Sequence, residues 1–392
     1  MLLEDRMKPE YYLHKQIREV STPSLILDIT ALEHNLGHMV KVCNKESVRV
    51  RNHVKTTKSS ELARMMAIES GYGITTATLN EAYAMWKANV TNDILIANKL
   101  PLTQSTLEAV AGLSEMTSSG LIVSVDSLEQ ARAYSDLMSN RDAVLGVLVE
   151  IDVGLNRFGV RTAEDAVKLY REIEKLPNVK IRGLMAYEGG HIDNLDVTER
   201  KDRYYAEMKP LHGALRLLGN GNVEIVSTSG TRTFELAIND DEIRKCEPQV
   251  REVQVGTYAT NDLAYRRYIP DFKTALYVLA NVIGFNGDGE AILDVGNKRL
   301  SIDHGDSEIM RYNGVLIQGR VEYHSGRFHE NNSFVMLDPD YLRMDVGGVV
   351  TILPSHGCTT IPLHDAIFGY RVDLSGNLLE NKVERVFPID AR

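Results

Sequence analysis

The order of predicted elements along the 392-residue chain indicates an α/β protein, a (β/α)8 TIM barrel followed by a mostly antiparallel β domain. Through residues 1–270, apolar strand-like runs alternate with amphipathic helices, which is typical of parallel strands joined by crossover helices. From residue 271 to 392, short strands are separated by Gly, Asp and Asn turns, without a long amphipathic helix. A doubly wound sheet is the competing fold, but no early Gly-rich dinucleotide turn follows a first strand.

Each barrel strand is a short run rich in β-branched residues, and a segment of helical periodicity follows it. After a first strand ending near residue 54, the predicted strands are 74–78, 93–98, 121–126, 144–153, 181–188, 223–229 and 251–258. The predicted helices are 60–69, 79–88, 105–113, 128–138, 162–176, 198–218 and 233–237. In the second domain, the predicted strands are 275–283, 290–294, 314–323, 332–336 and 349–353. Residues 22–28 form another strand, a candidate partner for that domain.

Composition and charge exclude several classes of partner. The chain is 43% hydrophobic and 25% charged, which is ordinary for a globular protein. Its net charge is −10 and it has no basic run, so nucleic acid is not an expected partner. It has neither a run of about 18 apolar residues, which a membrane helix needs, nor a signal-peptide core. Three cysteines in no paired spacing favour a reducing compartment, and we expect the cytoplasm.

Lys55 stands where the first barrel strand ends and the next helix begins. Val50 and Val54 indicate the strand, and Ser60 is a favourable helix starter. The carboxyl ends of barrel strands carry the chemistry of this fold. A lysine there can form a covalent bond with an aldehyde cofactor or act as a general base, although most lysines near strand ends are only solvated.

Two kinds of loop at other strand ends could bind anionic groups. Arg157, in the loop IDVGLNRFG, could hold a phenolate oxygen or a carboxylate, or it could be an ordinary surface arginine. The loops STSGT and QVGTY follow the last two strands, and small residues there expose backbone N–H groups. In α/β barrels a phosphate site is frequently built at this position. The candidate phosphate ligands are Ser229, Gly230, Thr231, Gly256 and Thr257.

His356 and Cys358 lie two residues apart in the sequence SHGCTT, after an apolar strand. At this spacing both side chains can face one ion, and imidazole with thiolate is a good pair of ligands for Zn²⁺. A bare H-x-C spacing is more often structural. Asp303 and His304, in the sequence SIDHGD, are interpreted as turn residues.

Together these motifs resemble the alanine-racemase-like, fold-type III enzymes that depend on pyridoxal 5′-phosphate (PLP), and most closely their D-serine dehydratase and D-threonine aldolase branch. The resemblance extends from TPSLILD to the C-terminal domain. In that branch the first strand ends in a pattern close to R-P-H-x-K-T-H-K, whose first lysine carries PLP. Lys55 matches that lysine, whereas Asn52 and Thr57 replace a proline and a histidine.

The resemblance implies a role for each of the other candidates. Arg157 would contact the 3′-oxygen of PLP, and the five loop residues at 229–231 and 256–257 would hold its phosphate. Gln254 or Tyr187 would meet the pyridine nitrogen. Neither is strongly charged, so the ring would be only a modest electron sink. His356 and Cys358 would bind a divalent metal, with Zn²⁺ favoured by the thiolate and Mn²⁺ or Mg²⁺ as alternatives.

The implied activity is that of a PLP- and metal-dependent lyase acting on a β-hydroxy-D-amino acid. The H-x-C pair favours dehydration to a 2-oxo acid and ammonia, as in D-serine dehydratases. The alternative is retro-aldol cleavage to glycine and an aldehyde, as in D-threonine aldolases, and a further alternative is an amino-acid racemase. A homodimer is expected, since a second subunit can exclude water from the barrel mouth.

Overall fold

The computed structural model describes residues 3–189, 196–286, 291–316, 333–335, 344–372 and 377–392. The chain divides into two compact units. The barrel unit comprises Met39–Lys55 and Ala63–Gly256, and the mixed-sheet unit comprises Met1–His38, Thr56–Leu62 and Thr257–Arg392. Each unit contains its own β-sheet.

The sheet of the barrel unit is entirely parallel, and its strands pair in chain order. They are Arg49–Val50 with Asn52–His53, then Ile74–Thr76, Ile94–Ile96, Leu121–Val125, Leu145–Ile151, Val179–Ala186, Ile225–Thr228 and Val250–Val253. The first strand has two halves: Val50 aligns with Val253 of the last strand, and His53 aligns with Thr75 of the second. Because one interrupted strand pairs with both neighbours, the sheet closes on itself. The predicted (β/α)8 barrel is confirmed.

Arg51 occupies the interruption in the first strand and is almost completely buried. Its Nε donates to both carboxylate oxygens of Glu252, at 2.9 and 2.8 Å, and its Nη1 donates to Asp93 at 2.7 Å. The guanidinium also lies 4.5 Å from the centroid of the Tyr72 ring. Gly73 leaves room for it, since a Cβ there would lie 2.4 Å from Arg51 Nη1. The buried cation therefore connects Glu252 of the last strand with Asp93, which directly precedes the third strand, at the point where the first strand is interrupted.

Helices connect the barrel strands, and several begin at a Ser or Thr cap. The α-helices described are Leu3–Met7, Ile29–Lys45, Ser60–Ser70, Leu79–Lys87, Gln104–Met116, Leu128–Met138, Ala163–Ile173, Val197–Glu207, Lys209–Leu218, Phe234–Ile238, Asp241–Lys245 and Gly357–Thr360. The Thr78 and Thr162 side chains, for example, accept the N–H groups of Glu81 and Asp165. Within these described stretches, no helix has the length and apolar character needed to cross a membrane.

The predicted single helix 198–218 is wrong at its centre. The structure has two helices there, and Met208 lies between them. Pro210 stands in the first turn of the second helix, where its missing N–H costs nothing. Inside a continuous helix, the same proline would leave a carbonyl without its donor, so the chain breaks before it.

The mixed-sheet unit is built around the strand Ser24–Asp28, whose Leu25, Ile26 and Leu27 are completely buried. This strand pairs antiparallel with Leu276–Phe285 and parallel with Ala366–Tyr370. The other strands are Ala291–Leu293, Glu308–Tyr312, Val315–Leu316, Ser333–Val335, Val349–Leu353 and Val383–Pro388, and their pairs are antiparallel. The predicted mostly antiparallel domain is confirmed. The predicted strand 314–323 extends beyond residue 316 into positions outside the described residues.

Candidate active site

Lys55 is fixed at the end of the first barrel strand by backbone bonds on both sides. The His53 N–H donates to the Val255 carbonyl at 2.8 Å, and the Val54 N–H donates to the Thr75 carbonyl at 2.9 Å. The strand end is therefore tied to both neighbours just before the lysine. Lys55 is half-buried, and its Nζ lies 5.5 Å from the centroid of the Tyr187 ring. The strand thus presents an amine beside a phenol.

Arg157 lies next to the same aromatic ring. Its guanidinium carbon is 5.9 Å from the centroid of the Tyr187 ring and 4.1 Å from that of Phe158. The loop that carries it is shaped by Asp152, whose carboxylate accepts the N–H groups of Gly154 and Asn156. Arg157 is held by the loop and remains partly exposed, as a residue that binds an incoming anion must be.

Glu150 places a buried carboxylate next to Arg157. Its Oε1 lies 3.6 Å from Arg157 Nη2. Burial raises the pKa of Glu150 to about 7, and the charge of Arg157 offsets only part of that effect. The carboxylate therefore gains its charge near neutral pH, and its attraction for the guanidinium grows as it does so.

The loop Ser229–Thr231 follows the strand Ile225–Thr228 and packs against Tyr187 from another direction. Ser229 has a positive φ of 64°, and its hydroxyl lies 2.8 Å from that of Thr233. A Cβ on Gly230 would lie 3.1 Å from the Tyr187 ring, so a side chain there would press on the phenol. Thr231 Oγ1 accepts the Gly256 N–H at 3.2 Å and joins the two predicted phosphate loops.

Lys55, Arg157 and Gly230, three of the predicted cofactor residues, therefore lie around Tyr187. An amine, a guanidinium, a phenol and a small-residue loop surround one place, and this donor set fits PLP, which has an aldehyde, a phenolate oxygen and a phosphate. Gln254 is buried, and its amide Nε2 donates to Ser227 Oγ at 2.8 Å. Its amide is thus held in a fixed orientation, while its contact with the pyridine nitrogen stays a prediction.

The second predicted site lies in the mixed-sheet unit, on a single turn of chain. His356 immediately precedes the short helix Gly357–Thr360, which contains Cys358. The Gly357 N–H donates to Asp262 Oδ2 at 2.7 Å and anchors the turn. Cys358 Sγ lies 3.2 Å from the hydroxyl of Thr56. Histidine and cysteine are thus presented together.

The two side chains polarise each other. Burial by itself would lower the pKa of His356, but the hydrogen bond and charge of Cys358, together with Asp303, raise it to about 9. Burial would raise the pKa of Cys358, yet the hydrogen bond and charge of His356 lower it. Each side chain therefore favours the charged form of the other, the imidazolium of His356 and the thiolate of Cys358. A metal ion that replaces the shared proton would find a thiolate and a neutral imidazole, the ligands that Zn²⁺ prefers.

Three residues around this turn make contacts that the sequence did not predict. Asp303 Oδ2 lies 2.8 Å from His356 Nδ1, whereas the sequence suggested only a turn residue. The Thr257 hydroxyl lies 3.3 Å from that of Thr56 and 3.6 Å from Cys358 Sγ, so this side chain faces the thiol. Its contact with the phosphate stays a prediction. Thr56 and Cys358 are 302 positions apart in the chain, and Asp303 and His356 are 53 apart. Contacts over such separations leave no signal in a single sequence.

Comparison with protein families divides the chain in two. Residues 27–260 match the family model described as alanine racemase, N-terminal domain. Residues 275–370 match a model described as a serine dehydratase domain. The first match contains Lys55, Arg157, Tyr187 and the loop Ser229–Thr231, and the second contains His356 and Cys358.

Several characterised proteins are similar over most of their length. A 3-hydroxy-D-aspartate aldolase of Paracoccus denitrificans (strain Pd 1222) is 27% identical, covering 95% of this chain and 92% of its own. A D-threo-3-hydroxyaspartate dehydratase of Delftia sp. (strain HT23) is 29% identical, covering 87% and 92%. The crystal structure of D-threonine aldolase from Filomicrobium marinum superposes with a TM-score of 0.84 at 29% identity, covering 98% of this chain and 99% of that one.

Proposed function

The chain belongs to the alanine racemase N-terminal domain family, and from this premise we propose that it eliminates water from a β-hydroxy-D-amino acid. The predicted class, a PLP-dependent lyase, is confirmed, because the relatives that match most of both chains are aldolases and dehydratases. Within the lyases, we propose dehydration in preference to carbon–carbon cleavage.

The residues around Tyr187 would hold the cofactor and move one proton. Lys55 Nζ would attach PLP and, once displaced by the substrate amine, would accept the proton from Cα. Arg157 would bind the phenolate oxygen, and the loop Ser229–Thr231 with Gly256 would bind the phosphate. When bound, PLP supplies an electron-accepting ring that weakens the bonds at the substrate Cα.

His356 and Cys358 would hold a divalent metal, with Zn²⁺ favoured over Mn²⁺ and Mg²⁺ because one ligand is a thiolate. Such an ion acts as a Lewis acid on a hydroxyl oxygen. In dehydration the Cα–H and Cβ–O bonds break and water leaves. Hydrolysis of the remaining enamine gives a 2-oxo acid and ammonia.

The observation that carries the proposal is the imidazole–thiolate pair in the mixed-sheet unit. The thiol lies 3.2 Å from the hydroxyl of Thr56, and Thr56 is bonded directly to Lys55. We propose that the lysine and the metal act on the same substrate. Dehydration follows from the H-x-C pair, which is typical of the D-serine dehydratases that the chain resembles.

Retro-aldol cleavage is the second candidate, and a specific observation favours it. The 3-hydroxy-D-aspartate and D-threonine aldolases are 27% identical to the chain across at least 95% of its length. In this case the Cα–Cβ bond breaks instead, the β-hydroxyl loses its proton, and glycine and an aldehyde are the products.

Product analysis tests the proposal. The purified enzyme is incubated with D-serine, D-threonine and D-3-hydroxyaspartate, and the 2-oxo acid and ammonia are measured against glycine. We expect 2-oxo acid to dominate, and a dominance of glycine would establish the aldolase instead. Turnover should fall sharply after EDTA treatment and return with Zn²⁺. A rate unchanged by chelation would refute the metal-dependent lyase.

A matched pair of cysteine variants assigns the metal ligand. Cys358→Ala should lose bound metal and turnover, whereas Cys246→Ala, at a buried thiol in the barrel unit, should keep both. Cys358→Asp should shift the metal preference from Zn²⁺ toward Mn²⁺, because a carboxylate is a harder ligand. Metal content that is unchanged in Cys358→Ala would rule out this pair as the site.

Two further points are part of the same proposal. We expect a homodimer, since the barrel mouth needs protection from water. We also expect a cytoplasmic location, in keeping with the three free cysteines.

A further inference from the structure

We propose that Asp303 is a positioning residue for the metal, holding the His356 imidazole with its hydrogen on Nδ1 so that Nε2 binds the ion. The inference rests on the metal site of the proposed function and adds a residue to it. Asp303 Oδ2 lies 2.8 Å from His356 Nδ1. An ionised carboxylate only accepts hydrogen bonds, so Nδ1 is the donor in this contact. A neutral imidazole has a single N–H, which leaves the lone pair on Nε2.

The carboxylate of Asp303 is itself held in place. Its other oxygen, Oδ1, accepts hydrogen bonds from the Thr359 hydroxyl at 2.9 Å and from the Ser301 hydroxyl at 2.8 Å. Thr359 belongs to the same short helix as Cys358. With Oδ1 engaged twice, Oδ2 is directed at the ring. The carboxylate therefore fixes the imidazole relative to the turn that carries the thiol.

Aromatic neighbours limit the rotation of the imidazole. The His304 ring approaches it edge-on, with centroids 4.4 Å apart and planes at 71°. The Tyr265 ring lies almost parallel to it, with centroids 6.3 Å apart and planes at 20°. A ring restricted in this way presents a constant donor atom, which is what a metal ligand requires.

A different assignment of the same residues makes Asp303 a direct ligand. The donor atoms of Asp303, His304 and His356 lie within 4.8 Å of one another, close enough to surround an ion. The hydrogen bond from Nδ1 argues against this, because an ion bound there would have to break it. The two assignments also predict different behaviour for Asp303→Asn, whose amide oxygen can still accept the Nδ1 hydrogen.

The test measures Zn²⁺ affinity in the PLP-containing enzyme after metal removal, by competition with a chromophoric chelator. Asp303→Ala should raise the Kd for Zn²⁺ by about 10–100-fold, the usual effect of removing a carboxylate behind a metal-bound histidine. Asp303→Asn should raise it by less than about 10-fold, because the acceptor is retained. Asp306→Ala, in the same exposed loop, should leave it unchanged. Cofactor absorbance and far-UV circular dichroism verify that each variant is folded.

A spectroscopic measurement identifies the coordinating nitrogen directly. The enzyme is labelled with ¹⁵N-histidine and loaded with Zn²⁺, and the His356 resonances are assigned from their absence in His356→Asn. These resonances should show metal at Nε2 and hydrogen at Nδ1. Coordination through Nδ1 would overturn the proposal. An unchanged Kd for Zn²⁺ in Asp303→Ala would also overturn it. An equal loss of Zn²⁺ affinity in Asp303→Asn and Asp303→Ala would overturn it as well, because Asp303 would then be a ligand. If Cys358→Ala bound Zn²⁺ as tightly as the wild type, the metal site of the proposed function would be refuted instead.

Discussion

Replacing Lys55 should remove two functions at once, the attachment of PLP and the transfer of the α-proton. We expect Lys55→Ala to lower turnover by at least about 10²–10⁴-fold, the usual contribution of a general base. Borohydride reduction of the enzyme should attach a pyridoxyl group to the peptide that contains Lys55, as read by mass spectrometry. Lys58→Ala, three residues further on, is the control and should keep the label and the activity. A label on Lys58 would contradict the assignment.

Glu150 makes stability depend on pH in a defined direction. Its pKa is raised by burial from the ordinary 4.5 to about 7 in the folded protein. The folded state therefore favours the protonated acid. The contribution of Glu150 to the stability of the fold is complete below pH 4.5 and is lost as the pH rises through 7. Glu150→Gln removes this titration. Relative to wild type, the variant should gain at most about 3 kcal/mol above pH 8 and nothing near pH 4.5.

Urea unfolding of both proteins between pH 4.5 and 9 measures this difference. Glu164→Gln, at an exposed helix position, is the control and should show no such trend. A stability difference for Glu150→Gln that is flat, or that grows toward acid pH, would contradict the assignment of a raised pKa.

At the scale of elements, the interrupted first strand depends on Arg51. Arg51→Met would leave Glu252 buried without its cation, and breaking a buried ion pair in this way typically costs about 3–5 kcal/mol. Arg18→Met is the matched control, because its ion pair with Glu380 is exposed and should be worth about 0–1 kcal/mol. The midpoints of urea unfolding compare the two. A similar small effect for both would show that the buried pair does not hold the barrel closed.

Most barrel elements could be predicted from the sequence because their apolar periodicity is local. The strand Leu121–Val125 and the helix Leu128–Met138, for example, lie where the pattern placed them. The helix Ile29–Lys45 was not predicted, and neither were the strands Glu308–Tyr312, Ala366–Tyr370 and Val383–Pro388. A strand of five or six residues among turns has little periodicity of its own. Its conformation is set by partners far along the chain.

The candidate site shows the same division. Lys55, His356 and Cys358 could be proposed from the sequence because each stands in a short local pattern. Asp303 was interpreted as a turn residue because its partner, His356, lies 53 positions away. Local chemistry is visible in the sequence, whereas the hydrogen bonds that orient it depend on the folded backbone.

For the whole molecule, we expect a homodimer with two-fold symmetry, the commonest arrangement of soluble oligomers. Light scattering coupled to gel filtration should give twice the 43.9 kDa mass of one chain. Activity measured across a dilution series should fall when the dimer dissociates. A monomer that retains full activity would contradict the argument that a second subunit excludes water.

The strand Ser24–Asp28 has a consequence for how the protein is made. During synthesis it leaves the ribosome well before its partners, because Leu25 aligns with Val278 on one side and Ile367 on the other. At roughly 5–20 residues per second, the first of these partners is translated about 10–50 s later. Throughout that interval a strand with three consecutive apolar residues, Leu25–Leu27, has both edges unpaired, which is a hazard for aggregation. We therefore expect the nascent chain to need shielding, by a chaperone or by the ribosome surface, until Ile367 has been translated.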